Sequence, residues 1–254
     1  MIRHRFAAPI LFLFAMALFP EASQSQELGR VWHFSPKQGH VAAFQEAFRA
    51  HMDFRAEQGD PWSWWVYQVV VGENSGDFYA ASWNHEWADL DAYDAWEGVE
   101  ILSSHFQGTV APLLEASSNT ISQGNPEMRK VPDDPSWEPT LISITTFYLI
   151  PGKQQAFNEN LMKIHEAIVE ADMPFYYTSS FNAAGGDGPT FTIAGLSETW
   201  AEFADPDPSM EQIMVEKYGE EEAMEIWTAF GEAIHHWESE VVRYRPDLSN
   251  VEGM

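Results

Sequence analysis

The sequence contains no cysteine. That absence removes thiol nucleophiles, disulfide staples, iron–sulfur clusters and Cys-based zinc sites, and leaves the fold to rest on an ordinary hydrophobic core. Positive charge is also scarce. Lys and Arg number 13 against 39 Asp and Glu, a formal net charge of −26. Phosphate backbones and anionic membrane faces are bound through Lys and Arg clusters, so the charge argues against both as partners. No phosphate loop, nucleotide fingerprint, zinc-protease helix or serine-hydrolase elbow occurs. His85-Glu86 lacks the second histidine such a zinc helix needs, and no glycine sits among Asp89, Asp91 and Asp94 where a calcium loop turns. His235 and His236, read as helical neighbours, would point about 100° apart. Metal is therefore not expected.

Long apolar runs are missing too, except at the start. Arg3, His4 and Arg5 precede an apolar stretch from Phe6 to Phe19, and Pro20 and Ala22 to Ser25 follow. This is the layout of a signal peptide over residues 1–25, which places the mature protein in the periplasm or outside the cell. The apolar stretch is shorter than the roughly 20 residues of a membrane span, and the other reading is an uncleaved N-terminal anchor. Cleavage after Ser25 removes two arginines and one glutamate and leaves a net charge near −27. An acidic surface aids solubility whether or not it has a further use.

What the chain has in quantity is aromatic residues, with 11 Trp, 17 Phe and 8 Tyr, and several recur at a spacing of 113. Phe44 matches Phe157, Pro61 matches Pro174, Phe78 matches Phe191, Trp87 matches Trp200, and Asn84 matches Ser197. Two copies of one unit are expected, at about 28–122 and 140–249. A connector at 123–139 carries Pro126, Pro132, Pro135 and Pro139 and reads as extended.

Each copy shows one order of elements. A β-rich run (29–34; 141–149) ends near proline and is followed by a helix. Its apolar face carries Phe44, Phe48 and His51 in copy one, and Phe157, Leu161, Ile164 and Ile168 in copy two. Two strands come next (62–71 and 78–83; 175–181 and 190–196), joined by Gly-containing turns. Asn84 and Ser197, good capping residues, open a second helical region that runs to about Ala116 and Trp237. A last strand closes each copy (117–122; 240–244).

The resulting class is α+β, with βαββαβ twice over, the ferredoxin-like arrangement. A sheet covered on one face by helices leaves its other face open, and two such sheets in one chain can cover each other. The whole resembles the dimeric α/β-barrel superfamily as a fused, intramolecular pseudo-dimer. That resemblance implies several possible activities, since the superfamily holds cofactor-free monooxygenases, haem-dependent chlorite-dismutase-like enzymes and stress-response proteins.

Three groups of residues are candidates for a site. Trp62, Trp64, Trp65 and Tyr67 form the densest aromatic cluster; on a strand one pair faces the inter-sheet space and the other packs under the helices. They read as the lining of a pocket for a flat apolar molecule, or as plain core. His33, Asn84 and His85 could approach the same pocket, and the superfamily's cofactor-free monooxygenases use polar residues of this kind to hold a substrate that itself activates oxygen. Capping would also explain Asn84, and packing would explain Trp87. Finally, Leu161 to His165 resembles the helix that carries the proximal histidine of chlorite-dismutase-like haem proteins, which makes His165 the ligand if haem is the cofactor. The distal arginine of the chlorite-splitting members has no counterpart, for copy two has no arginine between Leu141 and Val242.

The expectation is an exported binder of a small apolar or aromatic molecule, without a required cofactor. The alternatives are a haem oxidoreductase, a cofactor-free monooxygenase, or a structural protein whose acidic faces keep it soluble. Further self-association through free sheet edges remains open at this point.

Overall fold

A computed structural model describes residues 27–134 and 137–251, so the expected signal peptide at 1–25 lies outside the described residues. Among the described residues no helix is long and apolar enough to cross a membrane. Copy one contributes β1 (Leu28–Pro36), α1 (Val41–Glu57), β2 (Trp65–Val71), β3 (Phe78–His85), α2 (Trp87–Asp94), α3 (Val99–Thr109) and β4 (Leu114–Gly124). Copy two contributes β5 (Leu141–Leu149), α4 (Gln154–Glu170), β6 (Tyr176–Ala184), β7 (Thr190–Ser197), α5 (Met210–Tyr218), α6 (Glu220–Gly231) and β8 (Ile234–Tyr244).

The strands order as β4-β1-β3-β2 in copy one and β8-β5-β7-β6 in copy two, and every pairing is antiparallel. The two sheets then join edge to edge. β2 pairs with β8 and β4 with β6, which closes one eight-stranded barrel. Closure satisfies all four edges within the chain, so the edges expected to offer a route to further pairing are used up. Four antiparallel steps separate β1 from β5, so the two run in the same direction. Both β-hairpin turns, β2–β3 and β6–β7, therefore lie at the same end of the barrel.

Alternation along each strand gives the barrel two unlike faces. The outer face is covered by helices and densely packed. Phe44 and Phe157, which match across the repeat, are both fully buried on α1 and α4. They meet Phe78 and Phe191, the next matching pair, at ring distances of 4.9 and 5.3 Å. Spacings of three and four bring Phe48, His51 and Met52, and likewise Leu161, Ile164 and Ile168, onto the same buried faces.

Several expectations are corrected by the second helical regions. Neither Asn84 nor Ser197 is a cap. Asn84 lies in β3 and Ser197 ends β7, and the N-caps are Glu86 and Thr199, two residues later, where Asp89 accepts from the Glu86 N–H at 2.7 Å and Glu202 from the Thr199 N–H at 3.2 Å. Trp87 and Trp200 are not core residues but stand 47 % exposed in both copies. The last strands are longer than expected, because polar stretches at 115–119 and 235–239 pair as β-structure on the barrel wall. His235 and His236 thus belong to β8, with their Nδ1 atoms 2.8 Å apart. Residues 125–130 of the connector run beside β6, with Asn125 N–H bonded to Ser179 O and Lys130 exchanging backbone bonds with Tyr177.

Candidate functional site

The inner face of the barrel is hollow. Where the outer face carries Phe, the inner face carries Ala81, Ala194, Ser122, Ser180 and Gly124, and the strands enclose a cavity of about 970 Å³. An eight-stranded barrel is just wide enough to be filled by its own side chains or to hold one small ligand. Small residues at these positions give the second outcome.

The two copies line the cavity differently. Copy one supplies rings, from Tyr67 on β2 and Tyr79 and Trp83 on β3. Copy two supplies a branched apolar patch, Ile142, Ile144 and Leu196, followed along the same strands by Thr146, Thr192 and Thr190. Strand register aligns Ile142 with Leu196 and Val242 at one level, and Thr146 with Thr192 and Glu238 at a level nearer the hairpin end. The cavity is therefore apolar at one end and polar at the other, where Tyr79 and Tyr148 add rings to the hydroxyls.

Trp83 owes its place to its neighbours. A Cβ on Gly29 would lie 2.0 Å from the Trp83 ring, so only glycine allows the indole to lie across β1. The next residue, Asn84, has φ 66°, a left-handed conformation that asparagine tolerates better than most residues. This kink keeps both Trp83 and Asn84 on the cavity side and turns His85 away.

At the hairpin end, Tyr79 Oη donates to Glu240 Oε1 at 2.6 Å, and Asn74 Nδ2 approaches Glu240 Oε2 at 3.5 Å. Tyr148 Oη reaches Glu238 Oε2 at 3.3 Å while its ring stacks on His236 at 4.1 Å. Burial, reinforced by these carboxylates, pushes the Tyr79 and Tyr148 hydroxyls above their ordinary titration range. Burial, then Tyr244, does the same to Tyr67. All three phenols stay protonated near neutral pH, and Tyr79 and Tyr148 act as hydrogen-bond donors.

The structure separates the residues expected to share this site. Tyr67 and Asn84 line the cavity. Trp65 lies opposite Ala81 on the same face of β2 but is not among the lining residues. Trp62 and Trp64 precede the strand and are buried under the helices. There Trp64 Nε1 donates to Asp60, and the Arg55 guanidinium lies 4.7 Å from the Trp64 ring centre. His85 joins them, stacked on Trp62 at 3.9 Å with Nε2 2.7 Å from Ser82 Oγ, and burial lowers its pKa. His33 is on the inner face near the hairpin end, where it stacks on Tyr79 at 4.8 Å and its Nε2 lies 2.9 Å from Asp77 Oδ2. That contact is too poorly aligned to count as a hydrogen bond. His33, Asn84 and His85 thus do not converge.

His165 also falls outside the cavity. It sits on α4 between helix and outer sheet face, with Nδ1 2.6 Å from Tyr177 Oη, against a cluster that includes Tyr177, Leu161, Ile164 and Ile168. An axial ligand needs an imidazole aimed into a space wide enough for the macrocycle. Here Nδ1 is held by a phenol, as a ligating histidine's second nitrogen often is, but the ring lies against packed side chains rather than facing the barrel cavity, and that packing does not fit haem. Among the described residues no group of three His, Asp or Glu is placed to hold a metal ion.

Tyr79, Trp83, Tyr148, Glu238 and Glu240 were not singled out from sequence. Alternation along Phe78 to Trp83 carries the signal for Tyr79 and Trp83. Glu238 falls between the expected end of the helix near Trp237 and the expected strand at 240–244, and Glu240 at the start of that strand carries nothing that marks it as facing a cavity.

Comparison with known proteins gives the fold. No family model and no curated protein matches the chain. Among solved structures, an anthrone oxidase-like protein is similar over 91 % of this chain and 95 % of its own, with TM-score 0.56 and 14 % identity. A protein proposed as a monooxygenase, from Lactobacillus acidophilus NCFM, matches over 90 % and 98 %, with TM-score 0.53 and 9 % identity. A mutant chlorite dismutase from Candidatus Nitrospira defluvii matches over 89 % and 94 %, with TM-score 0.54 and 10 % identity. At such identities the likeness is one of fold, and with the strand order and closure above it establishes that this chain has the dimeric α/β-barrel fold, both halves of the barrel being supplied by one polypeptide.

Proposed function

We propose that the protein binds one small, flat apolar or aromatic molecule inside the barrel and works outside the cytoplasm. The observation that carries the binding reading is the hollow inner face: a space of about 970 Å³, walled by tyrosines, a tryptophan and branched apolar residues, in a barrel whose outer face is fully packed. Ligand pockets typically span about 300–1,000 Å³ and combine apolar walls with a few placed polar groups. Neutral phenols and a hydroxyl belt suit binding and orientation. Haem-dependent oxidation is disfavoured because His165 lies outside the barrel cavity against packed side chains, and cofactor-free oxygenation has similar folds in its favour but not a gathered His33, Asn84 and His85.

The binding reading is tested by titration with Nile red, a neutral flat dye whose emission rises on leaving water. One saturable equivalent is expected. An Ala194→Trp variant, with an indole in the cavity, is expected to lose that binding while keeping its melting temperature within a few degrees. Equal binding by both proteins, or none by the wild type, overturns it. Support for export is the basic and apolar leader at residues 1–25. N-terminal sequencing of protein from the extracytoplasmic fraction should begin at Gln26, whereas a cytoplasmic protein retaining Met1 contradicts export.

A further inference from the structure

Charge within the cavity is lopsided. Five acidic residues, Glu27, Glu73, Asp187, Glu238 and Glu240, line it against one cationic side chain, Arg129. Four of the five gather at the hairpin end. Glu73 and Asp187 come from the two β-hairpin turns, while Glu238 and Glu240 stand on β8 with their side chains among the wall residues. Arg129, with Glu27, is on the connector side at the opposite end.

The partners of the two wall carboxylates are neutral donors or a distant imidazole. Glu240 accepts from Tyr79 and is approached by Asn74. Glu238 accepts from Tyr148, with His236 Nε2 3.9 Å away. Neither has a Lys or Arg partner among the ion pairs of the described residues. Asn182 lines the same end; its Nδ2 is bonded to Gly185 O, and its buried Oδ1 has no donor. This end thus offers acceptors that lack a cation, next to a cavity large enough to hold one.

We infer that the ligand is an amphipathic cation: an aromatic or branched apolar body with a primary or secondary ammonium group. The inference rests on the proposed binding function and names its ligand class. The body lies between Trp83, Tyr67 and the Ile142–Ile144–Leu196 wall. The ammonium points to the hairpin end, where it donates to Glu238, Glu240 and Asn182 Oδ1. A charged donor to a carboxylate makes a stronger hydrogen bond than a neutral pair, and rings flanking the site add cation–π attraction. The same field disfavours carboxylate or sulfonate ligands, because like charges in a shared cavity repel.

Three probes with one ring system test this: 2-naphthylmethylamine, 2-naphthylmethanol and 2-naphthoate, titrated calorimetrically into the mature protein at low and moderate salt. The amine is expected to bind about tenfold or more tightly than the alcohol, and 2-naphthoate more weakly than the alcohol. Added salt should narrow the gap. The Glu238→Gln/Glu240→Gln double variant should bring the amine down towards the alcohol. A control with the same change in net charge on the outer helices, Glu216→Gln/Glu225→Gln, should keep the preference. An alcohol that binds as well as the amine, or a preference that survives the double variant, overturns the cationic ligand and leaves the barrel reading standing. Failure of all three probes, with Nile red also unbound, overturns both.

Discussion

The outer and inner faces of this barrel are made by alternate residues of the same strands, yet they are built on opposite principles. On β3, Phe78 and Ala80 turn outward into a closed core, while Tyr79, Ala81 and Trp83 turn inward onto empty space. On β5, Leu149 packs against helices, while Ile142, Ile144 and Thr146 face the cavity. The outer face carries the stability of the fold, and the inner face can be hollow because it does not. Substitutions on the two faces should therefore behave differently.

The largest losses are expected outside. Phe157→Ala empties a fully buried ring site against Phe147, Phe191 and Phe230 and should cost about 3–5 kcal/mol in chemical denaturation. Asp60→Ala is expected to cost a similar amount. Its carboxylate accepts from Arg55, the Trp62 N–H and Trp64 Nε1, and removing it strands a largely buried guanidinium. An inner-face change of comparable volume that costs as much as either would break the comparison.

A smaller, pH-dependent effect also belongs to the outer core. His51 is buried on α1 with Nδ1 3.0 Å from His105 Nδ1, and its pKa is lowered to about 3 by burial, then by Arg55 and His105. Above about pH 6.5 the imidazole is neutral in folded and unfolded chains alike. Below it, the unfolded chain takes up a proton that the folded chain refuses. Stability should therefore fall as pH drops from 6.5 towards 3, by at most about 1.4 kcal/mol per pH unit from this group. Denaturation midpoints measured across that window should slope less in His51→Leu than in the wild type.

The smallest effect on stability, and the largest on binding, is expected inside. Trp83→Ala should change stability by no more than about 1 kcal/mol, since the ring is 36 % exposed, yet weaken Nile red binding several-fold. Gly29→Ala should act through the same ring, because its new methyl occupies the space of the Trp83 indole. A Trp83→Ala protein that unfolds would show that the indole is core rather than cavity wall.

The outer face was also the legible one. Repeating Phe44/Phe157 and Phe78/Phe191 at one spacing, with helical periodicity around them, is how a packed core writes itself into a sequence. The cavity left a weaker mark. Ala, Ser, Thr and Gly on alternate strand positions look like any polar edge, and what distinguishes them is closure through β2–β8 and β4–β6, which is a long-range fact. The Trp62–Tyr67 cluster attracted notice by density alone. Strand β2 begins only at Trp65, so Trp62 and Trp64 were free to pack beneath the helices. Glu238 was obscured because β8 starts earlier than its polar composition suggests, Glu240 because a strand position does not by itself show that it faces a cavity, and the bulge at Asn84 separated His85 from the face it was expected to share.

The most direct test follows isoleucine methyl groups by NMR during titration with 2-naphthylmethylamine. Ile142 and Ile144 face the cavity, whereas Ile164, Ile168 and Ile226 lie in the outer core. Saturable ring-current shifts are predicted for the Ile142 and Ile144 methyls, with the outer methyls little changed. Shifts confined to the outer isoleucines, or no shift at a concentration that stabilises the protein, would contradict a ligand inside the barrel.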